Sequence, residues 1–379
     1  MPWLEESIDK AIAELTSARL LRTPKVVERV HGPFVTIGGR EVLSFCSNDY
    51  LGLSQHERLT SAVRAENQWG AGSSRLMAGT TAAHRKLEKS LAAYLGTEAA
   101  LVFSSGSAAN AGLLTSITDA ETLVLSDELN HASVVDACRL SKARVMVYPH
   151  GDAAAAEAIL ASEFALRKLI FTDTVFSMDG DLAPLAALRR AADRHGAELI
   201  VDDAHGFGVL ATSGRGAVEL AGVEVAARTA NLSKAAGSIG GFVAGSADLV
   251  RLLESKARSF IYTTASPPAM AEASLAAVAL VEGANEARRR VLELGDRLSR
   301  GIRSLGYAVR ESPAPFLPVV LGSEERALEV AGDLWEKGFL VPAIRPPTVP
   351  KGTSRLRISV TALHNEEHVD ALVAVIPKR

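Results

Sequence analysis

Apolar positions Leu4, Ile8, Ala11, Ile12, Leu15 and Leu20 recur at near-helical spacing over residues 4–21, and Pro24 stops the pattern. The chain is therefore predicted to open with a helical arm. Between about Ala99 and Gly245 the period changes. Short β-branched or aliphatic runs at Leu101 to Phe103, Thr122 to Leu125, Arg144 to Tyr148, Lys168 to Thr172, Glu198 to Val201 and Gly241 to Ala244 alternate with helical stretches. Strands spaced this way imply βαβ units and a mostly parallel sheet, so the fold class is α/β. In such sheets ligands sit at the carboxyl ends of the strands. After Pro267-Pro268 one long helical pattern runs to about Leu305 and is predicted to bridge two lobes. Beyond it, Leu317 to Leu321, a helix over Glu324 to Lys337, the run Phe339 to Ile344, a strand at Arg355 to Val360 and a helix from Asn365 predict a small α+β domain. The expected organisation is an arm over 1–45, a large α/β domain over 46–275, and the bridging helix with the small domain over 276–379.

Charge and composition narrow the function. Across 379 residues, 41 Lys+Arg against 44 Asp+Glu give a net charge of -3, which removes the basic excess that binding to nucleic acid requires. The chain is 47% hydrophobic, yet charges interrupt its Ala-rich runs and no stretch reaches the length of a spanning helix, so no membrane role is expected. The opening Met-Pro-Trp-Leu-Glu-Glu carries acids where a secretory signal carries bases, which points to the cytoplasm. Cys46 and Cys138 are too few and too far apart for a disulfide framework or a metal cage, so no metal is expected.

Two segments carry the chemistry. Val201-Asp202-Asp203-Ala204-His205-Gly206 is an apolar strand ending in two acids and a histidine, and Asn231-Leu232-Ser233-Lys234-Ala235-Ala236-Gly237 sets one lysine among small residues. Each alone has a plain reading, since strand-end acids make turns and lone lysines are solvated. Their order, strand-Asp-x-x-His and then a lysine ahead of Gly240-Gly241, is what pyridoxal phosphate needs. The lysine bonds the aldehyde, the carboxylate keeps the pyridine nitrogen protonated, and a histidine lies near the ring hydroxyl. Ser105-Gly106-Ser107, after a strand and opening a helix, offers free N–H groups to a phosphate, or simply an N-cap. His131 opens another helix after a strand, and Ser177 follows the strand Lys168 to Thr172, so both lie at the same crevice.

Asn48-Asp49-Tyr50-Leu51-Gly52-Leu53, Ser105-Gly106-x-Ala108-Ala109-Asn110, Asn130-His131-Ala132-Ser133, Phe176-Ser177-Met178-Asp179-Gly180, Asp202-Asp203-Ala204-His205-Gly206-x-Gly208 and Leu232-Ser233-Lys234 together resemble the α-oxoamine synthases. That family comprises fold-type I pyridoxal phosphate transferases, which condense an amino acid with an acyl thioester and release carbon dioxide. The segment Ala343-Ile344-Arg345-Pro346-Pro347-Thr348-Val349-Pro350 resembles the biotin-pathway branch, whose substrates are L-alanine and a pimeloyl thioester. The thiol carrier, coenzyme A or acyl carrier protein, stays open. A glycine-using sibling, a non-catalytic partner subunit and a transaminase are the alternatives.

The resemblance implies Lys234 as the Schiff-base lysine, Asp202 as partner of the pyridine nitrogen and His131 as the residue stacked on the ring. It implies His205 and Ser177 at the ring hydroxyl side, and Gly106 and Ser107 at the phosphate, where an aromatic is usual in place of Ser107. Asn231 stands where the family has a phosphate-binding Thr, and its amide is the substitute. Arg355 and Arg357 share one strand face. The plain reading is two exposed cations on an edge strand; the resemblance assigns Arg357 to the amino-acid carboxylate. It also implies Thr348 as a substrate contact and Arg22 as the acyl-substrate arginine, with Arg19 the competing alignment, and a homodimer.

Overall fold

The aliphatic runs between residues 99 and 245 pair into one seven-stranded sheet in the computed structural model, which describes residues 3–310 and 312–379. Its strand order is Ala99–Phe103, Gly241–Gly245, Ala227–Asn231, Ala197–Asp202, Arg167–Asp173, Thr122–Asp127 and Arg144–Tyr148. Only Gly241–Gly245 runs antiparallel to its neighbours, so the other six strands bring their carboxyl ends to one edge. Ala227–Asn231 escapes the hydrophobic pattern because Ala-Arg-Thr-Ala-Asn has no aliphatic run. It is a strand because it is hydrogen-bonded on both sides, tertiary pairing overriding weak local propensity.

Alternation along the strands builds two buried faces. Leu169, Phe171 and Ile200 join Leu113 and Leu114 of helix Gly106–Ile117 and Leu253 of helix Ala247–Lys256 in one core. The intervening Ile170, Leu199 and Val201 are buried on the opposite face, where helix Leu185–Arg194 packs. Each fully buried aliphatic side chain contributes about 1.5–3 kcal/mol of transfer free energy.

The expected long helix after Pro267 is instead two, Pro268–Gly283 and Asn285–Ser304. Ala284 caps the first, its amide donating to the Val281 carbonyl (3.2 Å), and the buried Arg288 of the second donates back to the carbonyls of Val281 (2.5 Å) and Glu282 (3.3 Å) at the helix end. Residues 48–290 with 312–314 form one compact unit containing the sheet.

The other unit comprises residues 3–47, 291–310 and 315–379. Its first helix, Trp3–Ser17, is shorter than the apolar pattern and buries no side chain. Strands Arg29–His31, Phe34–Ile37 and Arg40–Ser44 form an antiparallel meander extended by Phe339–Leu340. A second sheet places Ser354–Ser359 between Phe316–Gly322 and Ala343–Ile344. That overturns the reading of Arg355 and Arg357 as exposed cations on an edge strand. The strand is central, and both side chains are buried, at 4% and 5% exposure. Among the described residues no helix is long and apolar enough to cross a membrane.

Candidate active site

The carboxyl-end edge of the seven-stranded sheet opens on a cavity of about 240 Å³. Lys234, Asp202, His131, His205, Ser177, Gly106, Ser107 and Asn231 all line it. They stand at or just beyond the carboxyl ends of five parallel strands, Ala99–Phe103, Thr122–Asp127, Arg167–Asp173, Ala197–Asp202 and Ala227–Asn231, which is why residues scattered over more than a hundred positions converge.

Asp202 ends its strand with both carboxylate oxygens occupied. Oδ1 accepts from the Ala204 amide (3.0 Å) and Oδ2 from Asn110 Nδ2 (2.7 Å). Asn110 belongs to helix Gly106–Ile117 and is fully buried. It also donates to Ser133 Oγ (2.9 Å) and accepts from Thr229 Oγ1 (2.6 Å). Ser133 Oγ in turn lies 2.7 Å from His131 Nδ1. His131 caps helix Ala132–Leu140, its Nδ1 accepting the Ser133 amide. Burial, aided by the Lys234 charge, lowers the His131 pKa against the opposing pull of Asp202.

On the next strand Asp173 pairs in register with Asp202. Its Oδ2 accepts the His131 amide at 2.9 Å, while Oδ1 is buried without a hydrogen-bond partner and the residue lines the cavity. Burial, and then the Asp202 charge, push its pKa well up. Asp203 points the other way, accepting from Thr174 Oγ1 (2.6 Å) and the Ala217 amide (3.2 Å). Burial raises its pKa to about 6.

His205 is held from behind by Tyr50, whose hydroxyl lies 2.7 Å from Nδ1. Ser177 sits on a loop closed by the Phe176 amide to Asp181 carbonyl bond (3.0 Å). His150 pins that loop, with Nδ1 2.9 Å from Asp127 and Nε2 2.9 Å from Asp181, its edge against Phe176. The two carboxylates push the His150 pKa up to about 10.

The lysine loop folds on itself through the Leu232 amide to Gly240 carbonyl (2.9 Å) and the Gly237 amide to Lys234 carbonyl (2.8 Å). Gly237 has φ +60, and a Cβ there would lie 2.3 Å from the Ser54 amide nitrogen. Gly241 lets its strand approach the phosphate-type turn, since a Cβ would stand 2.5 Å from the Gly106 nitrogen. Both positions need glycine for close backbone approach.

In the second unit Arg22 Nη2 donates to Thr348 Oγ1 (3.2 Å), Pro346 O (3.3 Å) and Arg345 O (3.4 Å). Arg19 instead pairs with Glu325 at 2.8 Å. Arg22 rather than Arg19 is thus the arginine gathered with Thr348. Arg357 lies over the Phe316 ring, 4.0 Å from its centroid, and donates to Ser359 Oγ at 2.9 Å. Arg355 donates to the Thr353 carbonyl (3.0 Å).

Sequence reasoning passed over Asn110, Asp173 and His150 as site components. Asn110 closes the motif Ser105-Gly106-x-Ala108-Ala109-Asn110, and Asp173 follows the predicted strand Lys168 to Thr172 as Asp202 follows its own; His150 carries no signal beyond its place after the strand Arg144–Tyr148.

Residues 40–376 match the family model "Aminotransferase class I and II". The 8-amino-7-oxononanoate synthase of Aromatoleum aromaticum is 47% identical over 96% of this chain and 96% of its own length. This chain belongs to the 8-amino-7-oxononanoate synthase family. Among solved structures, serine palmitoyltransferase of Sphingomonas wittichii superposes with a TM-score of 0.93 at 29% identity, covering 99% of this chain and 96% of that one. The 8-amino-7-oxononanoate synthase of Francisella tularensis gives 0.78 at 26% identity over 88% and 96%. The fold is therefore the fold-type I transferase fold that the family motifs implied, with a mixed, mostly parallel sheet.

Proposed function

We infer that this chain catalyses the pyridoxal-phosphate-dependent condensation of L-alanine with a pimeloyl thioester, giving 8-amino-7-oxononanoate, carbon dioxide and the free thiol carrier in biotin biosynthesis. Near-full-length similarity to synthases of that name carries the reading. The cofactor fits the residues present. The cavity joins one lysine, a fully bonded carboxylate, two histidines and a helix N-terminus, and the unpartnered Asp173 oxygen lines it. When bound, pyridoxal phosphate supplies an electron sink for the pair left at alanine Cα and again for the pair left by decarboxylation.

In this reading Lys234 holds the cofactor by its aldehyde carbon and Asp202 keeps a proton on the pyridine nitrogen. His131 covers the ring face, and His205 and Ser177 bind the ring hydroxyl side. Gly106 and Ser107 give N–H groups to the phosphate, with the Asn231 amide across from them, near the space a Gly106 Cβ would occupy. The Lys234 amine would remove the alanine Cα proton as general base and later return one to the product. Arg357 binds the alanine carboxylate through its guanidinium fork, and Arg22 with Thr348 binds the acyl substrate. The thiol carrier is coenzyme A or acyl carrier protein.

A cytoplasmic homodimer completes the reading. Exposed Leu76, Met77 and Tyr262 lie on the two segments that the Ser74–Thr264 bridge joins, an apolar surface that a second copy would cover. The deciding experiment incubates the protein with pyridoxal phosphate, pimeloyl-CoA and single amino acids and weighs the product. Preference for alanine with the mass of 8-amino-7-oxononanoate supports the assignment, whereas preference for glycine moves the chain to a sibling activity.

A further inference from the structure

We infer that Asn110, which does not line the cavity, is the positioning residue that fixes two cavity groups at once, the carboxylate of Asp202 and the ring tautomer of His131. The roles of those two groups toward the cofactor rest on the reading above; the hydrogen-bond directions do not. Thr229 Oγ1, a donor, faces Asn110 Oδ1 at 2.6 Å, so the amide presents its Nδ2 to Asp202 Oδ2 and Ser133 Oγ. The reverse orientation would set the amide oxygen 2.7 Å from a carboxylate oxygen, acceptor against acceptor. Nδ2 has two protons and therefore serves both partners.

The direction then propagates. Ser133 Oγ, having accepted from Asn110, has its own proton left to give, and His131 Nδ1 lies 2.7 Å away. The Ser133 backbone N–H points at the same nitrogen from 3.2 Å. With two donors facing it, Nδ1 is the unprotonated nitrogen and the ring proton is on Nε2. The charged groups around the ring divide, Asp202 and Asp136 favouring a second proton and Lys234 opposing it, while Asp173 accepts the His131 backbone amide. Burial is the largest of these influences and favours the neutral ring. One buried amide thus links the group assigned to the pyridine nitrogen with the group assigned to the ring face: Asp202 cannot reorient without breaking its bond to Asn110, nor the His131 ring without breaking its bonds to Ser133, which Asn110 holds.

The test reads the tautomer in the full-length protein without cofactor, so it is independent of turnover. Histidine labelled with nitrogen-15 is followed by long-range proton–nitrogen spectra, with His131→Gln identifying the signal. The native protein is expected to show an Nε2–H tautomer. Asn110→Ala should shift part of the population to the Nδ1–H tautomer, because the Ser133 hydroxyl loses the donor that orients it and only the Ser133 backbone N–H still favours the bare Nδ1, and in the loaded enzyme should lower kcat on the order of tenfold to a hundredfold with KM values within about threefold. Ser133→Ala removes the hydroxyl donor but keeps the backbone N–H and the Asn110–Asp202 bond, so it should loosen the tautomer with a smaller loss in kcat; it carries the test if Asn110→Ala does not fold. An Nδ1–H tautomer in the native protein, or a His131 signal unchanged in both variants, overturns the inference. Loss of tautomer control without synthase activity in the native protein would leave it standing and sink the function instead.

Discussion

The cavity at the sheet edge and the Arg22–Thr348 cluster of the other unit hold their polar groups in opposite ways. Around Asp202 the groups are buried and interlocked: Asn110, Asp202, Ser133 and Thr229 are each under 9% exposed and share hydrogen bonds. Arg22 and Thr348 are exposed, and Arg22 reaches two backbone carbonyls as well as the Thr348 hydroxyl. A buried network fixes geometry and makes each member costly to remove, whereas an exposed cation in water keeps freedom and loses little when removed. Pre-organisation is concentrated around the cavity, and the Arg22–Thr348 cluster stays adaptable.

The largest expected effect comes from Lys234→Ala, which should abolish turnover and prevent borohydride from fixing the cofactor to the chain. Reduction that still attached it at one other lysine would reassign the site. Asp202→Asn keeps the shape but not the charge. Turnover should fall by roughly the 2.7–4 kcal/mol seen when a transition-state electrostatic partner is lost, and a fall of less than tenfold would show the interlocked network to be structural only.

Arg357→Lys tests a buried group outside the cavity unit. It retains charge without the planar fork, so KM for alanine should rise about tenfold to a hundredfold while that for the thioester changes much less. Because Arg355 is buried as well, Arg355→Lys is expected to lower Tm rather than alanine affinity; equal kinetic effects of the two would remove Arg357 from the site.

His150→Gln sharpens the contrast through pH. Asp127 and Asp181 raise the His150 pKa to about 10 from the ordinary 6.5. The stabilisation is complete below about pH 6.5 and is lost as pH rises through about 10. The Tm gap between native protein and variant should therefore narrow across that window, and a gap constant with pH would rule out a charged clamp. The smallest effect belongs to the exposed cluster: Arg22→Ala should raise KM for the thioester by several-fold, in line with the roughly 0–1 kcal/mol of exposed charge pairs. A loss as large as that of Asp202→Asn would erase the distinction between the two regions.

Local pattern and motif order determined a good deal by themselves. Strand-then-acid at Asp202, the lysine among small residues at Lys234 and the strand-ending loops at Gly106, His131 and Ser177 follow from period and composition, because chain direction in a parallel sheet sends every strand end to one edge. Tertiary structure decided what depends on neighbours distant in sequence. The strand Ala227–Asn231 exists through pairing on both sides, the helix break at Ala284 is capped by Arg288, and Arg355 and Arg357 are buried because their strand lies between two others. It also decided the support of the site. Asn110 meets Asp202 across 92 positions and Tyr50 meets His205 across 155, contacts made by folding and carrying no periodic signal along the chain.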